Sequence, residues 1–296
     1  MDARTNQAGV RASLPKPKAL LIDLDGTLYK GSERIPGADR LIALLDALGI
    51  PCWFVTNNSS RTPEEVADHL MQLGIAARPE QVVTSALAAA DYAGRNHPGS
   101  SAYVIGERGL REALAANHIR MLPETAQGGE AGEKASIVDV AEIVVQGIDR
   151  GFDYGKLTSA VRHIRGGAVH IMTNPDLLLP SSGGLMPGAG SLGAAVAAAS
   201  GRDPIVIGKP SAILMNYALN LASAQPDEVW VVGDNPATDI AAARNAGCAS
   251  VLVLTGLCTA TDWEAQCRRA QAMPDVVCAD LDELAALLPT SNGRKG

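Results

Sequence analysis

Short apolar runs that stop on polar residues recur along this chain, and no other feature narrows its fold as much. Residues 19–24 end in Asp-Gly-Thr, 51–55 in Thr56-Asn57-Asn58, 204–207 in Gly208-Lys209-Pro210, and 228–232 in Gly233-Asp234. Stretches of helical spacing lie between them. One covers 38–48 and closes at Gly49. A second opens near Pro63, with Thr62 or Ser60 as cap and Glu64 and Glu65 in its first turn, and closes at Leu73-Gly74. A third covers 238–246 and closes at Gly247. The runs are apolar on both faces, so they predict strands buried on both sides, as in a parallel sheet. Strands alternating with helices predict right-handed crossovers and an α/β, Rossmann-like sheet. Folds of this kind hold ligands at the carboxyl ends of their strands, where these polar clusters fall.

The composition can fill such a core: 47% of residues are hydrophobic and only 19% charged. Aromatic residues are 3%, so the apolar mass is Ala, Val, Leu and Ile, which suits helices on buried strands. A net charge of −7 and a pI near 5.3 argue against nucleic-acid binding by a general basic surface. Cys52, Cys248, Cys258, Cys267 and Cys278 have no metal-finger spacing and are odd in number, which predicts small apolar thiols in a reducing, cytoplasmic setting. No apolar stretch reaches the roughly 18 residues of a membrane helix, and the Ala-rich run 192–199 is far shorter. Residues 1–18 are polar, with Pro and without an apolar segment, and read as a loose tail rather than a signal peptide.

The middle of the chain alternates on its own account. Residues 102–106, 142–147 and 168–172 read as strands, 110–117 and 154–164 as helices, and the polar, Gly-rich 124–134 as a loop. Gly183, Gly184, Gly188 and Gly190 cluster with Pro187 at a hinge or crossing point. Residues 250–254 add a further strand. The expected organisation is a flexible tail (1–17), a discontinuous core (18–84 and 186–296), and a smaller inserted α/β domain (85–185).

The polar clusters carry the chemistry. On a continuing strand Asp23 and Asp25 would share a face. Paired carboxylates repel and are costly to bury, but they suit a divalent cation beside a reacting phosphate. One can attack phosphorus while the other passes a proton to the leaving oxygen. A calcium loop fails on spacing, because the sixth residue from Asp23 is Leu28 and the twelfth Arg34. An acidic turn is the plain alternative. Thr56 and Asn57 offer neutral donors to phosphoryl oxygens, or else cap the following helix. Lys209 can neutralise a phosphate, or else sit in solvent, and Gly208-Lys209 lacks the pattern of a P-loop. Asp234 ends the most apolar strand; Asp239 starts a helix, where an acid caps well. Oxygen donors of this kind suit a hard cation.

Together DLDGT (23–27), TNN (56–58), GKP (208–210) and GDNPATD (233–239) resemble the four motifs of the haloacid dehalogenase phosphatase superfamily. The insertion resembles the C2 cap of its NagD-like, class IIA branch, and LIDLDGTLYKG, VTNNSSRTPEEVA and GDNPATDI resemble members from Gram-positive bacteria, including sugar-phosphatase and p-nitrophenyl-phosphatase-like proteins. The resemblance runs from about Lys18 to Leu288, and it makes 18–84 with 186–296 the catalytic core and 85–185 the cap. It implies Asp23 as the nucleophile that becomes aspartyl-phosphate, Asp25 as general acid and base, and Thr56, Asn57 and Lys209 as phosphate ligands. It also implies Mg²⁺ held by Asp23, the Asp25 backbone carbonyl and Asp234, with Asp239 either a further ligand or an acid just behind the ligands. Thr173-Asn174-Pro175-Asp176 is similar to a cap string that faces substrate, so Asn174 and Asp176 are expected at the leaving group, with an Asn-Pro-Asp turn as the alternative. His163, His170 and Arg165 could approach an anion but are expected in solvent.

The reaction expected from the resemblance is Mg-dependent hydrolysis of a small phosphorylated metabolite, such as a sugar phosphate or a nucleotide, by a cytoplasmic enzyme with no nucleic-acid or membrane partner and a possible homodimer through the cap. A phosphotransferase on the same fold, or a protein that binds phosphorylated ligands without turnover, are the alternatives.

Overall fold

The computed structural model describes residues 14–123, 140–181 and 184–289. The expected 124–134 loop, most of the tail, Gly183 and the end beyond residue 289 lie outside that range. The chain divides into two compact units. One takes the residues up to Val55, Leu70–Ala77 and those from Ala218 on; the other takes Thr56–His69 and Arg78–Tyr217.

In the first unit five parallel strands line up in the order Val276–Cys278, Ala249–Val253, Val229–Gly233, Ala19–Ile22, Cys52–Thr56. Every residue of Ala19–Ile22 is buried, as a run without a polar face requires. Register sets the level of the strand ends: Ile22 pairs with Val232 and with Phe54. The Asp23 N–H then donates to the Val232 carbonyl at 2.8 Å, which puts Asp23 beside the end of Val229–Gly233. The Ala38–Leu48 helix buries Ala38, Leu41, Ile42 and Leu45, the i, i+3, i+4, i+7 face, and ends on Gly49 at φ 66°. Leu45 is fully buried, so its replacement by Ala should cost about 3 kcal/mol. Two elements have too little pattern to be read from sequence, the hairpin Tyr29–Lys30 with Glu33–Arg34 and the three-residue strand Val276–Cys278.

The second unit holds a parallel sheet in the order Ile205–Val206, Val169–Met172, Ile143–Gln146, Ser101–Ile105, Arg120–Met121. Its core gathers Tyr103, Ile105, Val144, Ile164 and Val196. The Ala189–Ser200 helix lies close on this sheet at Gly193, where a Cβ would collide with Met172 and the Gln146 side chain. Thr62 and Glu65 form a capping box on Pro63–Gln72: Glu65 Oε2 accepts from the Thr62 N–H at 2.9 Å, and Thr62 Oγ1 accepts from the Glu65 N–H at 3.4 Å. Leu178–Ser181 and Gly184–Pro187 form an antiparallel hairpin where glycines alone suggested a hinge. Ile205–Val206, expected with the C-terminal part of the core, pairs with Val169–Met172 in this second sheet. A two-residue strand carries no burial pattern that could have assigned it.

Candidate active site

In the first unit the sheet ends deliver three carboxylates. Asp23 follows Ala19–Ile22, Asp234 follows Val229–Gly233, and Asp239 lies in the turn of helix Pro236–Ile240. One oxygen from each lies within 4.8 Å of the others. Asp23 is half-buried, and Asp234 and Asp239 are buried.

Loop contacts hold each acid. Thr27 Oγ1 donates to Asp23 Oδ2 at 3.3 Å, the Leu257 N–H to Asp234 Oδ2 at 2.6 Å, and the Asn235 N–H to Asp239 Oδ2 at 3.1 Å. Gly26, at φ +85°, and Gly256 pinch Asp234: a Cβ on either would collide with its carboxylate. Thr255 Oγ1 donates to the Gly26 carbonyl at 2.7 Å and ties the two loops together. Three close carboxylates in a largely buried setting make a costly arrangement without positive charge, and they are the hard oxygen donors that a divalent cation prefers. The donor set therefore fits the expected metal.

Asp25 differs from Asp23. The strand stops at Ile22, so the two acids do not share a strand face; Asp25 is exposed and forms an isolated bridge with Tyr29. The Tyr29 hydroxyl donates to Asp25 Oδ2 at 3.2 Å, and the Gly26 N–H to the Tyr29 carbonyl at 2.8 Å. Among the described residues the cluster of three side-chain carboxylates does not include Asp25.

A second set of expected residues meets in the other unit. Asn57, Asn174, Asp176 and Lys209 form one hydrogen-bonded group, and Thr56 Oγ1 accepts from the Asn58 N–H at 3.1 Å. Lys209 is 3% exposed, which excludes the solvated alternative. His163 and His170, expected in solvent, are buried. The Ala141 N–H donates to His163 Nδ1, and burial, followed by the Arg162 charge, holds the His163 pKa below its ordinary value. Burial pushes His170 down to about 4. Arg165 is exposed.

Sequence reasoning missed Tyr29, Thr27, Thr255, Gly256 and Leu257. Its own rule about strand ends pointed to the last three, since they follow Ala249–Val253. Cys258 is buried beside them, its thiol pushed up to about 12 by burial first and then by Cys267, Asp262 and Asp234.

Comparison with known families places these elements in context. Residues 20–120 match the haloacid dehalogenase-like hydrolase model, and residues 206–284 match a second HAD-hydrolase-like model. The 5'-nucleotidase YutF of Bacillus subtilis (strain 168) is 42% identical over 240 residues, 81% of this chain and 88% of the relative. The acid sugar phosphatase of Staphylococcus aureus (strain USA300) is 42% identical over 245 residues, 83% of this chain and 89% of the relative. The crystal structure of a double-mutant thermostable NPPase from Geobacillus stearothermophilus aligns with a TM-score of 0.79 at 38% identity, covering 91% of this chain and 98% of that one.

Proposed function

The chain belongs to the haloacid dehalogenase-like hydrolases and is a phosphoric monoester hydrolase, and we propose that it cleaves small phosphorylated metabolites through an aspartyl-phosphate on Asp23. The observation that carries this reading is the gathering of the Asp23, Asp234 and Asp239 carboxylates within 4.8 Å. That set, with the backbone carbonyl of Asp25, would hold Mg²⁺, which when bound neutralises charge on the phosphoryl group and on the acids.

The chemistry of the chain's own groups balances in two steps. An Asp23 oxygen attacks phosphorus, the bond to the leaving oxygen breaks, and that oxygen takes the Asp25 proton. Water then attacks the phosphorus and gives its proton to Asp25; the Asp23–phosphorus bond breaks and phosphate leaves. Thr56 donates its hydroxyl to phosphoryl oxygens, Asn57 its backbone N–H, and Lys209 balances the phosphate charge. Uncatalysed hydrolysis of phosphate monoesters is among the slowest reactions known, with accelerations up to about 10²¹-fold, so positioning and charge neutralisation must supply most of the rate.

Residues 18–84 and 186–296 form the catalytic core in this reading, with 85–185 as the cap. The substrate class includes sugar phosphates and nucleoside monophosphates, in keeping with the relatives named for such substrates.

The test is phosphate release across a panel of phosphomonoesters by metal-stripped protein, with and without added Mg²⁺. The expected outcome is turnover only with metal, none in Asp23→Ala, and a phosphorylated Asp23 peptide after acid quench. Full activity in Asp23→Ala would end the nucleophile assignment. Transfer to an added alcohol in place of free phosphate would favour a phosphotransferase.

A further inference from the structure

Sequence alone sends the Asn57 side chain to phosphate and Asp176 to the leaving group; their contacts give both another task. The Asn57 amide lies against the main chain of Lys209. Its Nδ2 donates to the Lys209 carbonyl at 3.0 Å, and its Oδ1 accepts from the Lys209 N–H at 2.8 Å. The side chain thus satisfies both main-chain polar groups of Lys209, as a residue opposite it on a neighbouring strand would. The same Nδ2 also donates to Asp176 Oδ2 at 3.0 Å. A side-chain amide has two N–H donors, so this one is fully committed.

The clamp is itself held. Ser85 Oγ donates to the Asn57 backbone carbonyl at 2.6 Å and Asn174 Nδ2 donates to it at 2.8 Å. Asn174 Oδ1 accepts from the Asp176 N–H at 3.1 Å, so Asn174 positions Asp176 as well. Gly208 permits the approach, because a Cβ there would meet Asn57 Oδ1 at 2.5 Å and the Thr173 carbonyl at 2.6 Å.

From this arrangement we infer that Asn57 and Asp176 are positioning residues that fix Lys209, and that Asp176 does not read the leaving group. The inference rests on the proposed role of Lys209 at the phosphoryl group. An acid at 57 would set oxygen against both the Lys209 carbonyl and the Asp176 carboxylate, and a longer Gln would not match the N–H and the carbonyl of Lys209 together. Asn is the residue type this contact requires.

The experiment measures kcat/KM with Mg²⁺ on p-nitrophenyl phosphate, a sugar phosphate and a nucleoside monophosphate, together with the affinity for inorganic phosphate by calorimetry. Asn57→Ala, Asn57→Asp, Asp176→Ala, Asp176→Asn and Lys209→Ala are compared, with melting temperatures recorded for each. Expected are losses of about 30-fold in Asn57→Ala and Asp176→Ala that are uniform across the three substrates, a larger loss in Asn57→Asp, and recovery to within about fivefold in Asp176→Asn, whose amide oxygen still accepts the Asn57 donor. In a Lys209→Ala background, Asn57→Ala should cost little more, which a general loss of structure would not produce. Inorganic phosphate should bind more weakly to Asn57→Ala and to Lys209→Ala alike.

A changed substrate ranking in the Asp176 variants would return Asp176 to the leaving group and overturn the inference. So would full additivity of Asn57→Ala with Lys209→Ala, or unchanged phosphate affinity in Asn57→Ala. The phosphate measurement does not need turnover, so it decides the inference even if wild-type protein releases no phosphate, a result that would instead defeat the hydrolytic reading.

Discussion

The Tyr29 hydroxyl is a hydrogen-bond donor to Asp25 Oδ2, four residues back and 3.2 Å away. It fixes one oxygen of the proposed general acid and so orients the other. Tyr29→Phe removes the hydroxyl and with it that donor. Turnover of a sugar phosphate, whose alkoxide needs a proton as it leaves, should fall about tenfold, whereas p-nitrophenyl phosphate, with an acidic phenol, should lose less than about threefold. Equal loss on both substrates in steady-state kinetics would mean that Tyr29 acts on the fold and not on the acid.

The three-carboxylate cluster predicts a stability response to metal. At a hundred times its Kd a cation adds about 2.7 kcal/mol, which for a chain of this size raises Tm by about 5 °C. Thermal melts of chelator-treated protein, with and without Mg²⁺, should show this rise, and Asp234→Asn should abolish it with at least about a 100-fold loss of activity. Without metal, Asp239→Asn should melt no lower than wild type, since it relieves carboxylate repulsion. A metal-independent Tm in wild type would argue against the site.

His170 predicts acid sensitivity. Burial pushes its folded pKa to about 4, below the ordinary value of about 6.5. The unfolded chain therefore takes up the proton more readily than the folded one. The stability associated with neutral His170 is fully present above pH 6.5 and is lost as pH falls towards 4, by up to about 3 kcal/mol. Burial of His163 acts in the same direction. Urea midpoints measured from pH 7 to 4 should fall in wild type and fall less in His170→Phe; parallel curves would refute the assignment.

Much of the fold was legible because the signals were local. The Ala38–Leu48 helix follows from its apolar spacing and Gly49, and it appears with the expected bounds. Strand-end logic pointed to Asp23 and Asp234, whose strands pair in register, and to Asp239 in the helical turn that follows the second strand. Asn57 shows where local reading stops: its partners Asp176 and Lys209 lie 119 and 152 residues away, and nothing in the string Thr-Asn-Asn reveals a clamp over that distance. The two histidines were misread for a related reason. A polar residue in a mixed segment resembles a surface residue until a helix covers it. Short strands such as Val82–Thr84 carry too few side chains for any period.

The cysteines predict slow thiol chemistry. All five are buried and outside any disulfide, and burial raises Cys248 to about 11 and Cys258 to about 12. Cys248 and Cys258 therefore carry almost no thiolate at neutral pH, and burial keeps reagents from the other three. Native protein should show no fast phase with a chromogenic disulfide at pH 8, and all five thiols should react once guanidinium is added. A rapid stoichiometric phase in native protein would mean that one cysteine is accessible.

Gly26 and Gly256 leave the Asp234 carboxylate no lateral room. A side chain at position 26 or 256 therefore displaces the acid at 234. A library that diversifies either loop for new substrates while keeping Asp234 will be dominated by variants with a displaced acid. Productive diversity has to come from positions that do not border this acid.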